Sequence, residues 1–317
     1  MNTPLVSIVC LCHNQAKWVA HAIHSAVHQN YPNIEIVVVD DASTDHSKKV
    51  IQQTLENYPS IKTIFNEEQK GNCYSFNQAL HHINGKYVID LAADDILLPN
   101  RVIAGVTKLE SLPKQYGLHF TDAAFINPAG DIIGYHYERN FDGKLKVEVL
   151  EGDIYRHLVE RYLICAPTMM MKREVLLHLG GYDESLTYED FDFWIRSSRN
   201  YYYCYSDEVL VYKRVLVNSL SSQQKRRKNN QAMSTALICQ KALKLNKNKM
   251  ENQALAKRIS YELRWALITE NWNAAELLSQ TLKETGYGSW KYFFYKALLI
   301  LRLPYFKIHY FLRSKKS

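Results

Sequence analysis

The hydrophobic pattern changes period several times along the first hundred residues. LVSIVCLC (5–12) is apolar and β-branched without a break and predicts a buried strand. Over 15–29, Trp18, Val19, Ala22, Ile23, Ala26 and Val27 recur at helical spacing and predict an amphipathic helix. IEIVVV (34–39) reads as a second strand, and Ser43 and Thr44 then offer hydroxyl caps for a helix running to about Tyr58. A strand at 61–65, a helix over 73–83 ended by Asn84-Gly85, and a strand over 86–92 complete a β-α-β-α-β-α-β order. That order predicts an α/β fold, a mostly parallel sheet with helices on both faces.

After Pro99 the pattern loosens. It predicts a strand near 116–125, a hairpin around NPAGDIIGYHY, a helix over 152–162 and a strand over 165–171. KREVLLHLGGYDE reads as a helix stopped by Gly180-Gly181, and YEDFDFWIRSSR as another. The polar stretch 217–228 reads as a linker. Everything beyond it is helical in pattern, near 230–246, 251–270, 273–285 and 289–312. The expected organisation is a sheet domain over 1–216, the linker, and an all-helical C-terminal region over 229–317.

Charge sharpens that division. Residues 1–222 carry 20 Lys+Arg against 27 Asp+Glu, whereas residues 223–317 carry 19 against 5. The first part is acidic, and the second would be drawn to an anionic surface. A hydrophobic content of 47% excludes wholesale disorder. The six cysteines (10, 12, 73, 165, 204, 239) show no CxxC and no zinc spacing, so they read as reduced, buried thiols of a cytosolic protein. The N-terminus, MNTPLVSIVC, reads as a first strand rather than a signal peptide.

The candidate chemistry is acidic. Asp40-Asp41 and Asp94-Asp95 fall at the carboxyl ends of two predicted parallel strands, where ligands of such sheets bind. No glycine occurs before Gly71, so the first strand–helix turn, CLCHNQAKW, cannot form a dinucleotide fingerprint or a P-loop. A carboxylate can instead accept from a nucleobase N–H, and others can take ribose hydroxyls or a divalent cation carrying a diphosphate. Asp41 suits the first task, and Asp94 with Asp95 the others. The alternative for either pair alone is a solvated acidic turn ahead of a helix.

Three blocks carry a resemblance: VSIVCLCHNQAKWVAHAIHSAVHQNYPNIEIVVVDDASTD, GKYVIDLAADDILLPNRV and GGYDESLTYEDFDFWIR. Together they resemble the family 2 glycosyltransferases of the GT-A fold, over residues 5 to about 214. The resemblance implies a Rossmann-like GT-A sheet and an enzyme that transfers a hexosyl or N-acetylhexosaminyl group with inversion. The donor it implies is a nucleotide-diphosphate sugar, with a UDP-sugar favoured, used with Mn²⁺ or Mg²⁺. It places Cys12, His13, Asn14, Asp40, Asp41, Asn77 and Asp94 at the donor, and Asp94 and Asp95 at the metal. Asp190 becomes the catalytic base, with Glu189 and Thr168 towards the acceptor.

Two positions depart from the family pattern. Ala92 stands where the first Asp of the DxD motif often sits, and Leu216 where a His often follows Arg214. These departures keep open a non-catalytic scaffold with the same fold. A sugar-nucleotidyltransferase would need a glycine-rich basic N-terminal loop, which is absent. No QxxRW is present, which argues against a processive polysaccharide synthase. For bacterial relatives the implied acceptor is a lipid-linked saccharide of O-antigen, capsule or lipopolysaccharide synthesis.

His21, His24 and His28 share a helical face opposite the apolar stripe and read as a solvated surface rather than a metal site. The C-terminal WKYFFYKALLILRLPYFKIHYFLRSKKS interleaves aromatics with Lys and Arg, and its longest apolar run is far short of the ~20 residues that span a bilayer. It predicts a helix lying in the headgroup layer, peripheral at the inner face of the cytoplasmic membrane. The competing expectation is a helix packed on the first domain. Nucleic acid is not expected as a partner.

Overall fold

The computed structural model describes residues 3–216, 226–287, 289–307 and 309. In chain order the elements begin β1 (Val6–Cys12), α1 (Val19–Val27), β2 (Ile34–Asp40), α2 (Ser47–Leu55), β3 (Lys62–Phe65), α3 (Asn72–Leu80) and β4 (Tyr87–Ala92). There follow β5 (Ile96–Leu97), α4 (Arg101–Glu110), β6 (Tyr116–Ile126), β7 (Ile132–Tyr135), α5 (Tyr155–Glu160), a 3₁₀ turn (Ala166–Thr168), β8 (Met170–Lys172) and α6 (Arg173–His178). The chain continues through α7 (Glu189–Ser197), β9 (Tyr202–Arg214), α8 (Gln231–Leu245), α9 (Lys249–Ile268), α10 (Trp272–Glu284) and α11 (Ser289–Leu301).

The chain forms two compact units. The first contains residues 1–154, 164–184 and 200–216, and holds the nine strands found among the described residues. The second takes residues 155–163, 185–199 and 217–317, so α5 and α7 join the C-terminal helices.

In the sheet unit the strand order is β3-β2-β1-β4-β8-β6-β9-β5, with β7 paired to β6. β3, β2, β1 and β4 run parallel, β8, β7 and β5 run antiparallel to their neighbours, and β6 and β9 are parallel to each other. Every residue of β1 is buried, as expected of a central strand covered on both faces. α1 closes one face with Val19, Ala22, Ile23 and Ala26. Because β2 and β4 both flank β1, the chain reverses its direction of travel across the sheet at β1/β4, the switch point where such sheets bind ligands.

Several local expectations change. Ser43 and Thr44 do not cap α2: it starts at Ser47, and both hydroxyls bond Asn14 instead. The stretch 165–171 is only half strand, since Pro167 and its neighbours make the 3₁₀ turn first. α4, which buries Val102, Val106 and Leu109, and the 13-residue β9 were not anticipated by the pattern. The expected helix over 289–312 is interrupted: α11 ends at Leu301, residues 302–304 are not helical, and residues 305–307 are helical again after Pro304. Most of the expected linker (217–225) and the last eight residues lie outside the described residues.

The helical unit contains a buried ion-pair centre. Asp192 is fully buried, and its two oxygens accept from Arg196 Nε (2.6 Å) and Lys241 Nζ (2.7 Å). Arg258 stacks on Phe191 at 4.2 Å, and the Tyr162 and Trp194 rings meet edge to face. No helix among the described residues is long and apolar enough to cross a membrane.

Candidate active site

The carboxyl ends of β2, β1 and β4 form one acidic rim. The β1 register pairs Cys12 with Asp40 on one side and Leu11 with Ala92 on the other. Strand spacing therefore puts the two acidic ends about 10 Å apart across β1. The turn after β1 is tied to the turn after β2. Asn14, at a positive φ of 55°, accepts through Oδ1 from the N–H groups of Thr44 (2.8 Å) and Asp45 (3.2 Å), and its own N–H donates to Ser43 Oγ (2.9 Å). The His13 ring is held at both nitrogens. Nδ1 donates to the Asp41 carbonyl (2.7 Å), and Nε2 accepts from Asn14 Nδ2 (3.1 Å). That tautomer is forced, because the carbonyl only accepts, and the Asn14 amide is oriented by the backbone donors at its oxygen.

Asp41 ties the turn after β2 to the turn after β3. Its Oδ1 accepts from Asn66 Nδ2 (2.9 Å) and Lys70 N–H (2.9 Å), and its Oδ2 from Gly71 N–H (2.8 Å). Gly71 has a positive φ of 92° at the start of α3, which frees its N–H to point at the carboxylate. Burial alone would raise the Asp41 pKa, but the bonds from Lys70, Asn66, Gly71 and Ser75 outweigh it and hold the carboxyl below its ordinary range. Ala42, beside it, sits at φ 52°, a conformation that normally favours glycine.

Asp40 lies deeper. Its Oδ2 accepts from Ser43 N–H (3.1 Å), and its Oδ1 is buried without a hydrogen-bond partner among the described residues. The Cys12 thiol is buried, with its pKa pushed up to about 12 chiefly by that burial, so Cys12 meets the rim through its backbone carbonyl, which accepts from Asp41 N–H.

At the end of β4 the two carboxylates differ. Asp95 is 4% exposed, and its Oδ1 accepts from Arg214 N–H (2.8 Å). Asp94 is half-buried and takes a hydrogen bond from the Gln15 side chain. Burial pushes both carboxyls up, and the Asp94 charge adds to the effect at Asp95. Arg214 braces this corner: its Nε donates to the Asp94 carbonyl (3.1 Å) and its Nη1 to the Asn127 carbonyl (3.0 Å). Ala92 is exposed at the strand end, where an Asp would have reached solvent.

These oxygens fit a hard divalent cation only in part. Two adjacent desolvated carboxylates are a suitable donor pair. Among the described residues, however, no group of three or more His, Cys, Asp or Glu could hold a metal. A cation here would need the ligand's own phosphate oxygens to complete its shell.

Two expected site residues make structural hydrogen bonds. Asn77 clamps the 181–184 turn. Its Oδ1 accepts from Tyr182 N–H (2.8 Å), and its Nδ2 donates to the Tyr182 carbonyl and to Glu184 Oε1 (2.8 Å each). Thr168 is fully buried and donates to the Cys165 carbonyl (2.7 Å), so it offers nothing to an acceptor. Glu189 and Asp190, both half-buried, open the first turn of α7 in the helical unit, where negative charge complements the helix N-terminus. Asp192 is committed to its ion pairs and is separated in role from Asp190. Gln15, Asn66 and Ser75 were missed, because small amides and hydroxyls in turns carry no signal until the fold brings them to a carboxylate. His21, His24 and His28 are exposed.

A family model for glycosyl transferase family 2 matches residues 7–179, more than half of the chain. The chain belongs to glycosyl transferase family 2. An uncharacterized glycosyltransferase of Haemophilus influenzae is 30% identical over 234 residues, covering 73% of this chain and 72% of that one. The chain spans about two-thirds of the length of the curated relatives it matches. Among solved structures, S. aureus TarS 1–349 in complex with UDP-GlcNAc aligns with a TM-score of 0.72 at 17% identity, covering 98% of this chain and 92% of that one. The mannosyltransferase PcManGT of Pyrobaculum calidifontis, in complex with GDP-Man and Mn²⁺, aligns at 0.58 and 18% identity, covering 95% and 86%. This family 2 glycosyltransferase thus has the GT-A fold expected from its motifs.

Proposed function

We propose that this glycosyltransferase moves a hexosyl or N-acetylhexosaminyl group, with inversion, from a nucleotide-diphosphate sugar to a saccharide hydroxyl. The observation that carries the reading is the pair of acidic strand ends flanking β1 at the switch point. The ligands in the TarS and PcManGT complexes support a nucleotide-sugar donor, with a UDP-sugar favoured here.

In this reading the turns after β1, β2 and β3 form the nucleoside pocket, with Asp41, His13 and Asn14 fixing its walls. Asp94, with Asp95 behind it, faces the diphosphate. A divalent cation, Mg²⁺ or Mn²⁺, held by these two and by the donor's phosphates would neutralise charge on the departing diphosphate. Asp190 accepts the proton of the attacking acceptor hydroxyl, and Glu189 beside it orients the acceptor.

The test is a thermal-shift panel of UDP-, GDP-, CMP- and dTDP-sugars with and without Mn²⁺. One nucleotide class, with a UDP-sugar first, is expected to raise the melting midpoint, and to raise it further with Mn²⁺. No response to any donor in either condition would remove the catalytic reading and favour the scaffold.

We assign the acceptor to a lipid-linked saccharide of surface-polysaccharide synthesis, reached from the inner face of the cytoplasmic membrane. The support is α11 and the segment after it, which expose Phe293, Phe294, Ile300, Leu301 and Leu303 beside Lys296 and Arg302 in a strongly basic region. Aromatic insertion plus roughly 1 kcal/mol per basic residue near anionic lipid would hold such a surface. Cosedimentation with phosphatidylglycerol vesicles is expected, falling as salt rises. Equal recovery with neutral phosphatidylcholine vesicles, or none with either, would refute it.

A further inference from the structure

A second cluster of charge lies at the opposite end of β4 from the acidic rim, about 20 Å away along the strand. A cleft of about 220 Å³ is lined there by Asn84, Gly85, Lys86, Lys172, Arg173, Glu174 and Leu177. Antiparallel pairing of β4 with β8 sets Tyr87 against Lys172, and the Arg173 N–H donates to the Lys86 carbonyl (2.9 Å), so three cations are brought together by backbone.

Their partners are few. Lys86 pairs with Glu110, on the α4 side. Lys172, 6% exposed, donates one hydrogen to the Lys114 carbonyl (2.9 Å) and stands 3.8 Å from the largely exposed Glu174. The Arg173 guanidinium has no hydrogen bond or ion pair among the described residues, and its Nε is shielded from water. The backbone donors of Asn84 and Gly85 are already used by Glu35. A water-excluded donor without an acceptor is costly; Glu110 and Glu174 already face the two lysines, so Arg173 is the cation left for an added anion to join.

We propose that this cleft binds a small phosphate-type oxyanion, held by the Arg173 fork with Lys172 and Lys86 as flanking charges. Planar guanidinium geometry matches two oxygens of such an anion. The site is separate from the donor rim and does not depend on the assignment of the donor.

The probe is inorganic phosphate, titrated against chloride at matched ionic strength in EDTA, with the unfolding midpoint as readout. Phosphate is expected to stabilise the wild type and Asp94→Ala alike. Arg173→Gln should raise the half-saturating phosphate concentration about tenfold or more, and Lys86→Gln by a smaller factor, with donor binding unchanged in both. Absence of a phosphate effect in the wild type overturns the proposal. So does unchanged half-saturation in Arg173→Gln.

Discussion

Asp190→Asn is expected to lower sugar transfer by about 10²–10⁴-fold, the usual contribution of a positioned general base, while donor affinity stays within a few-fold of the wild type. Asn keeps the size of the side chain in the first turn of α7, so the helix should be retained. The neighbouring carboxylate supplies the control. Asp192→Asn breaks a buried arrangement with Arg196 and Lys241, so its main effect should fall on stability. Single-turnover transfer and donor titration on the two variants separate these outcomes. Wild-type turnover in Asp190→Asn would strip Asp190 of its role.

Asp41→Ala should be the most damaging change at the rim. It leaves the Asn66 amide and the Lys70 and Gly71 N–H groups without their acceptor. Stranded donors of this kind cost about 1–3 kcal/mol each where water cannot replace the partner. A total loss of about 2–4 kcal/mol and at least a tenfold loss of donor affinity are expected. The effect should depend on pH. Because the folded pKa of Asp41 is depressed, its stabilisation is present above the ordinary carboxylate range and is lost as pH falls below about 4. Wild type and variant should therefore converge in acid. Urea denaturation at pH 7 and in the acid range measures both points, and equal stability at pH 7 would rule out the clamp.

β1 and β2 were legible because a doubly covered parallel sheet demands long apolar runs, and VVVDD marks its own end. β9 was hidden by Asp207 and Glu208 in its middle, where register shifts against β6 let charged side chains reach solvent. α4 was legible in principle, since Asn100 stands at its N-cap and Val102, Val106 and Leu109 form its apolar face. The hydroxyls of Ser43 and Thr44 look like caps in sequence, because nothing local reveals that Asn14, thirty residues earlier, will claim them. Thr168, expected towards the acceptor, donates to the Cys165 carbonyl in the interior, a bond that nothing in the local sequence announces. The membership of 155–163 and 185–199 in the helical unit is a long-range property that no local window contains.

The bonds through Asn14 and Asp41 sew three successive turns together without any ligand. In the proposed nucleoside pocket a donor would therefore meet a stiff template and need not spend affinity on ordering loops. For redesign, transplanting the 66–71 segment from a relative would also require an acceptor at position 41 matched to the incoming backbone. Exchanging single inward-facing side chains on the existing frame is the more promising way to alter which base is accepted.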